Sequence, residues 1–189
     1  MSQLTFRVAA ALAVATALLL AACTGDAPIV LPKPDPTTAP VFATDEDALA
    51  AAEVAYGEYL KASDAITAKD GADPNTIGEY VHSEYLPEVL ESFEDLRTDH
   101  LHSQGRLGFD GMTLQQYTDD LSNPATISVY VCVVATNARL LDEDDEDVTP
   151  VERDDRVPLE VTFQTEERQP SLLIRSSDLW TGADFCESE

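Results

Sequence analysis

Ile127-Ser128-Val129-Tyr130-Val131-Cys132-Val133-Val134 alternates two sets of side chains, and its reading decides the fold class. Strand side chains have a period of two, so Ile127, Val129, Val131 and Val133 share one face and Ser128, Tyr130, Cys132 and Val134 the other. Neither face is purely polar, which predicts a strand partly buried on both sides. Further on, Val157, Leu159, Val161 and Phe163 alternate with Pro158, Glu160, Thr162 and Gln164. This is a cleaner, half-exposed strand, and Pro158 marks either its start or a sheet edge. Leu172 to Leu179 supplies a last strand after a Gln169-Pro170 turn, and Met112 to Tyr117 a weaker first one.

Upstream of these strands the period changes to that of a helix. Thr44 is an N-cap candidate with Asp47 three residues on, and Asp45 and Glu46 sit where the helix dipole favours anions. Leu49, Ala52, Tyr56, Tyr59, Leu60, Ser63 and Ile66 form one apolar stripe through about residue 69, where Asp70-Gly71 stops the helix. Asp73-Pro74 is expected to open a second helix carrying Tyr80, Val81 and Tyr85, broken or re-initiated at Pro87. Leu86, Val89, Leu90, Phe93 and Leu96 continue at helical spacing to about His100. Helices followed by a meander of strands predict one α+β domain over residues 44–189, with helices packed on one face of a curved antiparallel sheet.

The N-terminal residues read differently. Arg7 precedes an apolar run from Val8 to Leu20, which is the length of a signal h-region and too short to span a bilayer stably. Leu20-Ala21-Ala22-Cys23 resembles the bacterial lipobox, which implies cleavage after residue 22 and diacylglycerol on the Cys23 thiol. Residues 23–43 contain Pro28, Pro32, Pro34, Pro36 and Pro40, a composition that disfavours helix and predicts an extended tether. At about 3.1 Å per residue such a tether reaches roughly 60 Å from the membrane. The expected location is therefore the outer face of the cytoplasmic membrane, with the lipid as anchor.

Charge narrows the list of partners. Eleven basic against 36 acidic residues give a formal charge of −25, which excludes nucleic acid as a partner and repels anionic headgroups. Of three cysteines, Cys23 is assigned to lipid, leaving Cys132 and Cys186 as an even pair in an oxidising compartment. A disulfide between them is expected, and in the chain-entropy picture it stabilises the fold by roughly 4 kcal/mol.

No constellation reaches the standard of a catalytic or metal site. Asp142 to Asp147 is a run of six acids, yet the EF-hand pattern fails, because Asp147 and Arg153 stand where glycine and glutamate are required. It reads as a solvated hairpin tip. His100 and His102 are two apart, a spacing that sends helical side chains to different faces, and they read as helix-end or surface histidines. Tyr56, Tyr59, Tyr80 and Tyr85 are read chiefly as packing residues, although they and Trp180 are also suited to lining and closing a pocket mouth. No cofactor is expected.

Tyr56-Gly57-Glu58-Tyr59-Leu60, Asp70-Gly71-Ala72-Asp73-Pro74, Val129-Tyr130-Val131-Cys132, Arg156-Val157-Pro158-Leu159 and Trp180 with Cys186 carry a family resemblance across residues 44–186. The chain resembles small actinobacterial lipoproteins with a nuclear transport factor 2-like, cystatin-like α+β cone. That resemblance implies an internal pocket and the same Cys132 to Cys186 pairing. Catalytic members of the wider fold use a pocket carboxylate and a tyrosine, but no motif here transfers those roles to numbered residues. The anchor and the lack of a catalytic motif together lead to a non-catalytic envelope module that binds a protein or a small hydrophobic ligand. The alternative is an isomerase or hydratase acting through a buried carboxylate of raised pKa.

Overall fold

The computed structural model describes residues 39–186. The expected signal segment, Cys23 and most of the expected tether lie outside the described residues. Helix α1 (Asp45–Thr67) starts as its sequence dictates: Thr44 is extended, and its Oγ1 accepts from the Asp47 amide at 3.1 Å. Ala48, Ala52, Tyr56, Leu60 and Ile66 are buried, while Leu49, Tyr59 and Ser63 of the expected stripe are half-buried. Small Ala48 and Ala52 let the first turns lie close to the sheet. The helix ends through Gly71, whose amide donates to the Ile66 carbonyl at 3.1 Å. Gly71 has φ +70°, and a Cβ there would meet the Phe93 carbonyl oxygen, so the stop requires glycine.

The expected second helix shrinks to a 3₁₀ turn, Pro74–Glu79. Asp73 precedes it at φ +57° and makes no side-chain cap. The backbone beyond is drawn into other bonds: Ile174 donates to the Tyr80 carbonyl at 2.9 Å, and His82 donates to the Ile174 carbonyl at 2.8 Å. Those bonds commit Tyr80 to His82 to an extended bridge, with Val81 paired to Ile174. Helix α2 (Leu86–Thr98) then begins afresh, with Pro87 in the first turn where a missing N–H costs no intrahelical bond. Ile66, Ile77, Val81, Val89 and Phe93 close a small core under these elements.

Six strands follow: β1 (His102–Gln104), β2 (Gly108–Thr118), β3 (Thr126–Val134), β4 (Arg139–Leu141), β5 (Arg156–Thr165) and β6 (Leu172–Leu179). The main sheet is antiparallel in the order β2-β3-β5-β6, and β1 pairs with β4 in a separate ribbon. Register breaks between Asp110 and Thr113, where Gly111 has φ +60°, and between Thr162 and Phe163 bend the sheet around α1. Val129, Val131, Val161, Phe163 and Ile174 face the helix in the main core, as the alternation required. The fold is α+β, helices against an open antiparallel sheet. Of the two readings of Pro158 the structure selects the start of a strand, since β5 is an interior strand and Pro158 lies opposite Cys132 near its first residue.

The N-terminal boundary differs from expectation. Residues 39–43, assigned to the tether, are docked on the sheet, and Phe42 is buried with its ring edge-on to Tyr117 at 5.8 Å. The Val41 amide donates to Asp119 Oδ2 at 2.7 Å, and the Phe42 amide donates to Tyr117 Oη at 3.0 Å. Arg168 holds Asp119 through Nη1 at 2.6 Å and Nη2 at 3.2 Å, and Nη2 also donates to the Ala39 carbonyl at 2.8 Å. The folded domain therefore includes residues 39–43.

At the other end, residues 180–186 fold back over the sheet face opposite α1. Cys132 and Cys186 form the expected disulfide, with Cα atoms 5.5 Å apart and both residues buried. Trp180 and Phe185 flank Tyr130 with ring centroids 4.7 and 5.6 Å away. Arg156 donates from Nε to the Cys186 carbonyl at 2.7 Å and grips Asp110 with its two terminal nitrogens at 3.0 and 2.7 Å.

Candidate functional site

The interior between α1 and the sheet is occupied by side chains. Tyr56, 2% exposed, sits with Phe109 at 5.2 Å and Phe163 at 6.4 Å, both edge-on, and Tyr59 stacks beside it at 6.0 Å. Burial raises the phenol of Tyr56 and pushes that of Tyr59 up to about 12, so both stay neutral at ordinary pH. Among the described residues the polar residue buried as a whole is Thr165, which accepts from the Ala125 amide at 2.9 Å and donates to the Glu167 carbonyl at 3.1 Å. The internal pocket implied by the family resemblance is thus filled. Tyr80 and Tyr85 pack on the second core, and Trp180 lies on the opposite face of the sheet, where it closes nothing.

An open cleft lies instead on a neighbouring stripe of α1. Gly57, Lys61, Asp64, Ala65 and Ala68 recur at spacings of three and four and face the turn from Gly105 to Phe109. The cleft measures about 650 Å³, within the range of small-ligand sites. Asp64 Oδ1 accepts from the Leu107 amide at 3.3 Å and fixes the turn against the helix. Burial raises the Asp64 carboxyl above its usual range, opposed by that amide and by the Arg106 guanidinium. Lys61 meets Glu58 at 3.5 Å on the exposed face.

The acidic tip and the histidines meet at a second, polar cleft. Asp142 Oδ1 accepts from the amides of Asp144 and Glu146 at 3.0 and 2.9 Å, and Asp145 takes φ +61°, so the turn closes without glycine. His102 stands between two acids, its Nδ1 3.5 Å from Asp70 Oδ1 and its Nε2 3.2 Å from Asp145 Oδ1. His100, at φ +55°, ends the turn after α2 on the rim of the same cleft. No group of three or more His, Cys, Asp or Glu side chains among the described residues is placed to hold a metal ion.

The sequence reading did not single out Arg106, Asp64, Asp119 or Arg168. The last two are 49 residues apart and carry no local pattern. Hydrogen bonds from Arg168, supported by the Val41 and Leu121 amides, hold the Asp119 carboxyl well below the usual carboxylate range against the opposing effect of burial.

These features define a helix-on-sheet domain with a filled core and a surface cleft. No family model matches the chain, and no curated protein matches it. The fold is similar to that of the intermembrane space region of the chloroplast protein ARC6, at 11% identity and a TM-score of 0.50, covering 69% of this chain and 95% of that one. A periplasmic fragment of TraM aligns at 10% identity and a TM-score of 0.45, covering 72% of this chain and 98% of that one. At 11% identity the likeness to the ARC6 region is one of fold alone.

Proposed function

We propose that this chain is a lipid-anchored extracytoplasmic module, held at the outer face of the cytoplasmic membrane through Cys23, that binds and does not catalyse. The filled core carries the second half of that reading. A cone enzyme needs a substrate-sized cavity with a carboxylate inside, and here Tyr56, Phe109 and Phe163 occupy that space. The Cys132–Cys186 bond supports the first half, because structural disulfides persist outside the reducing cytosol. In this reading the domain is a filled variant of the nuclear transport factor 2-like cone of the small actinobacterial lipoproteins that the chain resembles.

The test is fractionation of the full chain in a bacterial host fed an alkyne fatty acid. Lipidation predicts label on the membrane-bound protein, and Cys23→Ser removes both the label and the membrane association. An unlabelled wild-type chain that fractionates with soluble protein overturns the proposal. The isomerase or hydratase alternative draws on one observation, the raised Asp64 carboxyl at the open cleft. The residues lining that cleft include no tyrosine or histidine to act as the partner acid.

A further inference from the structure

We infer that the cleft between α1 and the Gly105–Phe109 turn binds a medium-chain fatty carboxylate. This rests on the binding reading and gives it a ligand class. The cleft is made by residues that withhold side chains. A Cβ on Gly108 would meet nothing within 4 Å, and one on Gly57 would meet only the Phe109 ring at 3.8 Å. Gly105 shapes the turn: it has φ +98°, and a Cβ there would overlap the Asn137 carbonyl oxygen. Leu60, Ala65, Leu107 and Phe109 supply an apolar wall.

The charge at the mouth selects the head group. In a chain of net charge −25, Arg97, Arg139, Arg153, Arg156, Arg168 and Arg175 each pair with a carboxylate. Arg106 alone among the described arginines makes no salt bridge, and it lines the cleft beside Lys61. An exposed guanidinium without a salt bridge in so acidic a protein, acting on Asp64 across the cleft and set beside Lys61, which also meets Glu58, and an apolar wall, is complementary to an anion with an apolar body. A guanidinium offers a carboxylate two parallel N–H donors. Asp64 opposes that anion at close range, and its free oxygen sets an upper limit on affinity.

The test is calorimetric titration of octanoate into the full chain carrying Cys23→Ser, with octylamine and octanol as controls. Saturable 1:1 binding of octanoate is expected, weakened by added salt, with octylamine and octanol at least about tenfold weaker, the loss of a charge-assisted hydrogen bond. Arg106→Ala weakens octanoate by about the same factor. Gly108→Leu fills the cleft and abolishes binding, and Asp64→Asn, which keeps an oxygen for the Leu107 amide, tightens it several-fold. Circular dichroism confirms that each variant is folded. Absence of saturable octanoate binding overturns the inference, as does binding that Arg106→Ala and Gly108→Leu leave unchanged, or octylamine binding as tightly as octanoate. The labelling of Cys23 does not depend on octanoate, so either proposal can fail while the other stands.

Discussion

The two ends of the domain lie against one sheet and are fastened by opposite chemistries. Residues 39–42 are held non-covalently, by Phe42 in the main core and by polar contacts in which Asp119 receives Arg168 and the Val41 amide. Residues 180–186 are held covalently, with Cys186 bonded to Cys132 near the end of β3. The covalent fastening is indifferent to pH and salt but depends on redox conditions. The polar one is indifferent to reductant but depends on the ionisation of a carboxylate whose side chain is 3% exposed. Burial of the Asp119 side chain then matters, because salt screens a buried pair much less than an exposed one.

The largest expected effect breaks the covalent end. Reduction, or Cys132→Ser with Cys186→Ser, frees a loop closed across 54 residues and costs roughly 4 kcal/mol in the chain-entropy picture. Melting should fall on the order of 10 °C. Intrinsic fluorescence should change at the same time, since Trp180 loses its place on Tyr130. A melting temperature unchanged by reductant would mean that the aromatic contacts and Arg156 hold the C-terminal segment unaided.

Next comes the polar end. Asp119→Asn keeps an acceptor for the Val41 amide but removes the charge facing Arg168, and a fall in melting temperature on the order of 5 °C is expected. Hydrogen exchange at Val41 and Phe42 should rise with it, and exchange at β3 should not. The pH dependence has a definite sign. The folded Asp119 carboxyl is held below its unfolded value of about 3.9, so its contribution is complete above that pH and is lost as pH falls toward the lower folded value. Wild type should lose stability below about pH 4 more steeply than Asp119→Asn, and parallel acid-unfolding curves for the two would contradict this.

Legibility in the sequence follows the same division between local and distant. Thr44 with Asp47, the alternations of β3 and β5, and the glycine stop at Gly71 were readable because each signal sits within a few residues of the structure it causes. β1 and β4 were not, since three residues contain barely one alternation and their pairing depends on a partner 35 or more positions away. The docked residues 39–43 were hidden for a different reason. Their proline-rich neighbourhood predicts an extended chain, which they are, but extension does not reveal that Tyr117, Asp119 and Arg168 wait to receive it. At the cleft, Gly105 and Gly108 were visible as residues, but only the fold sets them opposite Gly57 and Ala65.

The smallest effect sharpens the comparison at its N-terminal end. Thr44 caps α1 two residues after Phe42, and Thr44→Ala removes the bond to the Asp47 amide at a cost of about 1 kcal/mol. Two arrangements predict different sums when this change is combined with Asp119→Asn. If docking of residues 39–42 and capping of α1 are separate events, the two losses add within about 0.5 kcal/mol. If Phe42 in the core sets the direction from which the chain enters the helix, as a hydrophobic staple does, freeing the segment already loosens the cap. The double variant then loses less than the sum. The second outcome is expected, because Phe42 is buried in the same cluster as Ala48 and Ala52 of the first helical turns. The double-mutant cycle by denaturant unfolding measures it directly, and strict additivity would show that the N-terminal fastening ends at Phe42 and leaves the helix start unaffected.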